Sequence, residues 1–384
     1  MAEQDDKVEI HRGLKGVYFD RSRVCYIDGR AGELRYRGYS IHDLAEHSTF
    51  EETCCLLLRG ELPSAGELAQ FSAELRAARV LPGAIYEVIR AVKAAHPMDV
   101  LRTAVSALAA FDPEVADNSP AATLRKGVRL TSQVPMIVAA HEHIRSGREP
   151  VQPDPGLGHA ANFLYMLKGS KPSAEAAKLM DTDMILHAEH GANASAFAAR
   201  VVAGTEANLH AAVTAAVAAL SGPAHGGAAE NVMRMAQEIG DASGAAAYVK
   251  TKRGNKEPIM GFGHRVYRAE DPRARHMRAG VEKLSREKGQ PQWYQILEAL
   301  VEAMKPYGRH GVNVNVDFYA GVVYFLNGIP EDLFVPIFAV GRVPGWTVQV
   351  LEQLENNILI RPLTLYNGAQ PRAYQPIDRR PAPA

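Results

Sequence analysis

Amphipathic helical periodicity with clear start signals runs through most of this 384-residue chain and restricts it to a nearly all-α fold. Ser64-Ala-Gly-Glu67 is a capping-box pattern, which predicts a helix that runs to about Arg79. Pro97 and Pro120 stand at first-turn positions, where the missing N–H costs nothing. Further helices are predicted at 120–146 (with a kink at Pro135), 173–190, 194–203, 207–221, 226–239, 274–287, 291–304 and 344–357.

Only one stretch, VCYIDGRAGELRYRG, has a good strand signal. Its Asp28-Gly29 pair is typical of a tight turn and predicts a short ribbon between residues 25–27 and 34–36. Strands never alternate with helices along the chain, which argues against a doubly wound sheet. Alanine and glycine are frequent at 187–221, and this indicates closely packed helices at the centre of the protein.

The charge balance excludes a general attraction to nucleic acid or to anionic membranes. Lys plus Arg and Asp plus Glu number 43 each, so the formal net charge is zero. The start, MAEQDDKVEI, lacks the apolar region of a secretory signal, and apolar windows such as 211–220 fall short of the ~20 residues of a membrane span. Cys25, Cys54 and Cys55 lack CxxC spacing and fit a reduced cytoplasm. We therefore expect a cytoplasmic protein without membrane or nucleic-acid partners.

Residues 261–273 read GFGHRVYRAEDPR and carry the densest chemical signal. The two glycines allow a ligand to approach the backbone, and His264 can serve there as a hydrogen-bond donor or proton carrier. Arg268 and Arg273 offer fork-shaped donors that suit phosphate or carboxylate. A dinucleotide fingerprint does not fit, because the third glycine and a preceding strand are missing. A surface loop with solvated arginines explains the bare pattern equally well.

His225 in SGPAHGGAAE lies between a proline-broken loop and a predicted helix start. A helix N-terminus disfavours the imidazolium, so a neutral His225 can donate a hydrogen bond to a forming oxyanion. A histidine that only marks a helix boundary is the commoner explanation of such a short motif.

His187 and His190 in LHAEHGANAS lie one helical turn apart and raise the question of a metal. The zinc-peptidase spacing is HExxH, whereas this is HxxH without an evident third ligand. A buried polar histidine is favoured over a metal site, and a substrate-binding histidine is the other alternative.

Asp317 follows alternating Asn-Val residues and precedes an apolar helix. An apolar setting raises the basicity of a carboxylate, so Asp317 is a candidate for removing a weakly acidic proton, with a plain helix N-cap as the alternative. Arg342 in AVGRVPGW and Arg361 in NNILIRP are lone arginines in apolar sequence, and each needs a carboxylate from protein or ligand. Taken together, the histidines, the aspartate and the arginines suit a small polycarboxylate and proton chemistry beside a carbonyl.

Five of these motifs occur in the order found in the citrate synthase family. The chain resembles the compact bacterial and archaeal members over nearly its full length, from LRYRGYSIHDLAEHSTFEE to IRPLTLYNG. The resemblance implies a two-domain all-α fold with a short N-terminal β ribbon, in which a small domain (225–328) closes on a large one (1–224 and 329–384). It also implies a homodimer with shared active sites. The implied reaction condenses acetyl-CoA with oxaloacetate and water to citrate and CoA, without a metal or other cofactor.

The same resemblance implies roles for single residues. Asp317 matches the base that takes a proton from the acetyl methyl group, and His225 matches the donor to the thioester oxygen. His264 matches the residue that polarises the oxaloacetate carbonyl and protonates the new alkoxide. The implied oxaloacetate and citrate ligands are His190, Arg273, Arg342 and, reaching in from the other subunit, Arg361. The implied CoA contacts are the adenine loop Pro258, Ile259, Met260, Gly261, Phe262 and Gly263, and the phosphate contact Arg268.

One position departs from the family pattern, and two other functions compete. Relatives often read HGGANE where this chain has Ala228-Ala229-Glu230, so a polar side chain four residues after His225 is missing. The nearest rival is a 2-methylcitrate synthase or a dual-specificity enzyme, because one methylene in an apolar pocket is worth only ~1–3 kcal/mol. A CoA-binding or assembly protein without catalysis is the second rival. The intact His225, His264 and Asp317 argue against it.

Overall fold

The structure is a computed structural model, and it describes residues 8–226 and 228–380. Helices dominate the described residues, as predicted. They are α1 (Ile41–His47), α2 (Phe50–Arg59), α3 (Ala65–Ala77), α4 (Gly83–Ala91), α5 (Pro97–Leu108), α6 (Pro120–Arg145), α7 (His159–Lys168), α8 (Ala174–His187), α9 (Ala194–Gly204), α10 (Leu209–Leu220), α11 (Ala228–Ile239), α12 (Ala245–Gly254), α13 (Ala274–Glu287), α14 (Gln292–Gly308), α15 (Asp317–Leu326) and α16 (Phe334–Glu355).

The predicted β ribbon is present and gains a third strand. Strands β1 (Cys25–Asp28), β2 (Glu33–Tyr36) and β3 (Tyr39–Ser40) pair antiparallel in chain order. Asp28 pairs with Glu33, so each strand is one residue longer than predicted and the connection is the four-residue loop 29–32. A Cβ on Gly29 would lie 2.2 Å from the Val266 carbonyl oxygen, so a glycine is required where this loop meets the GFGHRVYRAEDPR segment.

The helix start signals identified in the sequence are confirmed. Ser64 and Glu67 form the reciprocal capping box of α3, and Pro97 and Pro120 open α5 and α6. The predicted kink at Pro135 does not interrupt α6, which runs unbroken from Pro120 to Arg145. Almost every residue in the second half of α6 is buried, and this packing outweighs the hydrogen bond that a proline removes.

Helix α16 differs most from its prediction. It begins at Phe334, ten residues before the predicted start at Pro344, which lies inside the helix. Residues 331–355 are long and apolar enough to cross a membrane by length and composition, so the expectation that apolar windows fall short of a span is wrong for this stretch. However, 94% of that apolar window is buried in the protein, where α16 packs against α6, α8, α9 and α10. It is the central core helix.

The remaining helices divide into two groups. The alanine-rich α9 and α10 pack on each other and on α16, as predicted for the protein's centre. Helices α11 to α15 pack chiefly among themselves, and α11 and α13 contact the other group through α16, α8 and α1. This grouping agrees with a small domain at 225–328, whose boundaries stay a prediction.

Candidate active site

Two loops form the middle of the site: the signature loop (261–273) and the asparagine loop (313–317). An isolated β-bridge pairs Phe262 with Val314. Further backbone hydrogen bonds run from Gly263 N–H to Asn313 O (2.7 Å), from Asn315 N–H to Gly261 O (2.9 Å) and from Asp271 N–H to Val314 O (3.1 Å). The segments that carry His264 and Asp317 are therefore held together as one unit.

The two glycines of the signature loop adopt backbone conformations that other residues avoid. Gly261 has φ +76° and Gly263 has φ +86°. A Cβ on Gly261 would lie 2.6 Å from a ring carbon of Phe318, whereas a Cβ on Gly263 would meet nothing within 4 Å. Gly261 therefore allows close packing on α15, and Gly263 serves only the turn.

His264 has a defined tautomer. The backbone N–H groups of Val266 and Tyr267 donate to its Nδ1 at 3.0 and 3.1 Å. The ring proton of the neutral imidazole therefore sits on Nε2. Burial, together with the nearby Arg273, lowers the pKa of His264 to about 4, so the ring is neutral at pH 7.

His190 lies beside His264. Their ring centroids are 5.2 Å apart, and Nε2 of His190 lies 3.1 Å from the Tyr267 hydroxyl. His190 is only 7% exposed, and burial lowers its pKa well below the usual value. The site therefore contains two neutral imidazoles side by side.

Two buried arginines supply positive charge in different ways. Arg273 is clamped by Asp271, whose two oxygens accept from Nε at 2.9 Å and from Nη2 at 2.7 Å. Arg342 donates through Nε to the His187 carbonyl and lies 4.6 Å from the Phe338 ring centroid. Within the described part of the chain, no carboxylate oxygen approaches the Arg342 guanidinium to ion-pair distance. Arg342 is thus a buried cation open to an anionic ligand.

Ser195 contacts the His225 ring at its Nε2 atom. The Ser195 N–H points at Nε2 at 3.3 Å and the Ser195 hydroxyl lies 2.9 Å away. That hydroxyl accepts from Trp346 Nε1–H at 3.0 Å. Because Nε2 accepts from the Ser195 amide, the ring proton sits on Nδ1. Burial lowers the pKa of His225 to about 4, with Arg342 contributing, so this ring is neutral too.

Asp317 is the first residue of α15 and is not its N-cap, a position that Val316 occupies. The N-cap alternative is therefore wrong. The Asp317 N–H donates to Asn315 Oδ1 at 3.1 Å, which fixes the start of the helix. Burial raises the pKa of the Asp317 carboxyl, and His187 and Arg273 oppose that shift. The carboxylate is more basic than an exposed one, as removal of a weakly acidic proton requires.

The structure places the other predicted residues less directly. In the predicted CoA loop, Ile259 and Gly261 are buried, Pro258 is exposed, and Met260, Phe262 and Gly263 are half-buried. Arg268 is exposed and lies alongside Gly311. Arg361 is exposed in the extended segment after α16, and the structure does not bring it to the other site residues.

The possible metal site at His187 is not supported. Its Nδ1 lies 2.9 Å from the Asp183 carbonyl, and the ring is buried against Phe338. Across residues 8–226 and 228–380, no group of three or more His, Cys, Asp or Glu side chains is placed to hold a metal ion. His187 belongs to the core. Ala229, the departure from the family pattern, is buried at the start of α11, with its carbonyl against Gly321 of α15.

Sequence reasoning missed the residues that orient the others. Asp271 stands two positions before Arg273 inside the noticed motif, so its pairing was within reach of the sequence. Ser195, Trp346 and Tyr267 act across long sequence separations, and no local pattern marks them.

Three comparisons with known proteins agree on one family. The sequence profile described as "Citrate synthase, C-terminal domain" matches residues 13–363. A citrate synthase of Deinococcus radiodurans is 44% identical, over 97% of this chain and 99% of the relative. A 2-methylcitrate synthase of Corynebacterium glutamicum is 40% identical, over 97% and 99%. The ternary complex of Thermoplasma acidophilum citrate synthase with carboxymethyl coenzyme A and oxaloacetate superposes with a TM-score of 0.92 at 32% identity, covering 97% of this chain and all of that one.

Proposed function

The chain belongs to the citrate synthase family and is an acyltransferase that condenses acetyl-CoA with oxaloacetate, and we propose that the residues described above carry out each step. The observation that carries this assignment is His264, held as its Nε2–H tautomer beside His190 and Arg273. A neutral, oriented donor next to buried positive charge suits the ketone of a dicarboxylate.

Oxaloacetate binds through its two carboxylates. Arg342, which lacks a carboxylate partner in the described residues, takes one of them, and Arg273 contributes to the other. His190 and His264 then face the ketone oxygen from neighbouring positions. The substrate is held in one orientation, and its carbonyl is polarised before the second substrate reacts.

Acetyl-CoA loses a proton from its methyl group to the Asp317 carboxylate. The thioester methyl is a very weak acid, so a base alone is insufficient. His225 donates its Nδ1–H to the thioester oxygen while the proton leaves, and the product is an enol in place of a free enolate. Burial favours both partners, because it raises the basicity of Asp317 and keeps His225 neutral.

The enol carbon then forms a bond to the ketone carbon of oxaloacetate. The ketone oxygen becomes an alkoxide, a strong base, and takes the Nε2 proton of His264. The N–H groups of Val266 and Tyr267 stabilise the charge left on that ring. As the thioester carbonyl re-forms, the enol proton returns to His225, and a solvent proton restores Nε2–H of His264 while Asp317 releases the methyl proton to solvent. Water then hydrolyses the thioester to citrate and CoA.

The remaining assignments concern assembly. We propose a cytoplasmic homodimer that feeds acetyl groups into the tricarboxylic acid cycle, with Arg361 of each chain completing the site of its partner. The exposed apolar side chains around Arg361 support this proposal, since Ile358 is 72% exposed and Leu363 is 86% exposed in the single chain. Pro258 to Gly263 and Arg268 are proposed to contact CoA, and no metal takes part.

A 2-methylcitrate synthase is the second candidate, because a relative of that name is nearly as similar as the citrate synthases. The initial rate of CoA release with saturating oxaloacetate, measured for acetyl-CoA and for propionyl-CoA, decides between them. A higher kcat/KM with acetyl-CoA is expected. A preference for propionyl-CoA would assign the second function, and no release with either would refute catalysis.

A further inference from the structure

Glu189 is a fully buried carboxylate between the loop that presents His190 and the core helix α16. Its Oε1 accepts from the Gly191 N–H at 2.7 Å and from Gln349 Nε2 at 2.8 Å. Its Oε2 is buried without a hydrogen-bond partner in the described structure. An ionised carboxylate normally accepts hydrogen bonds at both oxygens. Oε2 of Glu189 accepts none from the described residues, so this oxygen is free to take up a proton.

The Glu189 side chain lies on the face of α16 that carries Arg342. Arg342, Gly345 and Gln349 stand at positions i, i+3 and i+7, which share one face of a helix. Gln349 bonds Oε1, and a Cβ on Gly345 would lie 2.5 Å from Oε2. The carboxylate is therefore beside the stretch of helix that also presents Arg342. Among nearby charged groups, Arg342 has the largest influence on Glu189.

The groups around Glu189 bring the pKa of its carboxyl close to neutral pH. Burial raises the pKa of Glu189 to about 7, and Arg342 and the two hydrogen bonds oppose this rise. The other titratable or charged groups that face it are Glu352 on α16, Cys25 on β1, Tyr36 at the end of β2, Arg37 directly after β2, and the adjacent His190. The pKa values of Cys25 and Tyr36 are raised by burial, and that of His190 is lowered, so these three are neutral near pH 8.

A bound dicarboxylate changes this balance. In the empty site, an ionised Glu189 is the carboxylate that best offsets the buried Arg342. A substrate carboxylate on Arg342 takes over that role and adds negative charge near Glu189, which favours the neutral acid.

We propose that Glu189 is a positioning residue that is ionised in the empty site and takes up one proton from solvent when the dicarboxylate substrate binds to Arg342. The step forms one O–H bond on the carboxylate and transfers no electrons. The inference rests on the proposed function, because it assumes that oxaloacetate binds at Arg342.

Isothermal titration of the full-length enzyme with oxaloacetate at pH 8 tests the proposal. Binding enthalpies in buffers of different ionisation enthalpy give the number of protons taken up per site. The wild type is expected to take up close to one proton, and Glu189→Gln is expected to take up almost none. Glu352→Gln serves as the control, because it removes a neighbouring carboxylate that lies on α16. This variant is expected to retain the proton uptake.

The pH dependence of affinity supplies a second readout. Between pH 7 and 9 the wild-type Kd for oxaloacetate should rise about 50-fold, because binding requires one proton per site and that proton becomes scarce. The Kd of Glu189→Gln should stay nearly constant. If this variant does not fold, the rise in the wild-type Kd and its proton uptake still test the idea, and a flat wild-type profile would overturn it. If oxaloacetate binds neither protein, the proposed function fails; if it binds both with equal proton uptake, only the role of Glu189 fails.

Discussion

Nδ1 of His42 and Nε2 of His276 lie 2.7 Å apart, one on α1 and the other on α13. A contact this short needs one ring to donate and the other to accept, so it holds only while at least one ring is neutral. Because α13 belongs to the proposed small domain, the pair joins two parts of the chain that are expected to move against each other.

The His42–His276 pair predicts a loss of stability in acid. Burial and the neighbouring His42 lower the pKa of His276 to about 4, and burial also lowers that of His42, with Arg275 adding while Asp43 and Glu46 oppose it. Between pH 6.5 and 4 the unfolded chain binds protons that the folded chain excludes, so stability falls as pH falls through this window. Replacing His276 by Asn should reduce the fall in Tm between pH 7 and 5 by about 1–2 °C, measured by calorimetry.

Other buried histidines contribute to the same acid transition, so a control is needed. His310 is exposed, and His310→Asn should leave the wild-type pH dependence unchanged. Equal slopes for His276→Asn and wild type would show that the pair has no linkage to folding.

Asp317→Asn is expected to abolish condensation while oxaloacetate binding is retained. Asparagine keeps the shape of the side chain but cannot accept the methyl proton, and a general base contributes about 10²–10⁴-fold to rate. Steady-state kcat and the Kd for oxaloacetate measure the two effects separately. Near-normal turnover in this variant would remove Asp317 from the role of base.

Ser195→Ala is expected to lower kcat about 10- to 100-fold with little change in the KM for oxaloacetate. The substitution removes the hydroxyl that links His225 Nε2 to Trp346 Nε1, and a ring that can rotate is a poorer donor in the transition state. Ser132→Ala is the matched control, because Ser132 is equally buried and bonds the Leu75 carbonyl far from the site. Identical effects of the two substitutions would indicate general destabilisation.

The two glycines of the signature loop should respond differently to alanine. Both have positive φ and share that strain, but only at Gly261 would the new methyl group meet Phe318. Gly261→Ala should therefore reduce the free energy of unfolding by about 1–3 kcal/mol more than Gly263→Ala, measured by urea denaturation. It should also raise the KM for acetyl-CoA more. Equal losses of unfolding free energy would mean that α15 shifts to accommodate the extra methyl group.

The shared-site proposal predicts that a mixed dimer of two inactive variants regains activity. Asp317→Ala and Arg361→Ala homodimers should each be nearly inactive. In a heterodimer of the two, one site collects both defects, and the other combines an intact Asp317 with an intact Arg361. Tandem-tag purification of the heterodimer should recover about half of the wild-type activity. A heterodimer as inactive as its parents would show that Arg361 acts within its own chain.

Local motifs pointed to the candidate site residues but not to the residues that orient them. His264 could be predicted because the two glycines that its loop needs come just before it in the sequence. Arg273 and Asp271 lie in the same motif. The hydrogen bond from Trp346 to Ser195 joins positions 151 residues apart, and that from Gln349 to Glu189 spans 160 residues. Such pairs are set by helix packing, which leaves no periodic trace in the sequence.

The predicted start of α16 at Pro344 is wrong for the same reason. Burial on all sides carries this helix through Pro344, and it begins ten residues earlier, at Phe334. Helices α1, α2, α4, α7 and α12 were not predicted. Helices α4, α7 and α12 have no capping side chain at their starts, whereas Ser40 and Thr49 cap α1 and α2, and those two start signals were missed. The position of Arg361 could not be predicted for a different reason. Its proposed site lies on a partner subunit, and the sequence of one chain does not define the contact between subunits.

The wide separation in sequence of the residues that meet in the site also has a consequence for refolding. His190, His264 and Arg342 come from segments that are distant along the chain, and α16, the last α-helix, contacts helices as early as α2. Contacts of this kind close large loops and form late, after local helices are in place. Recovery of activity from denaturant should therefore lag behind recovery of helical circular dichroism, and a chain that has regained its helices will remain inactive until α16 is enclosed.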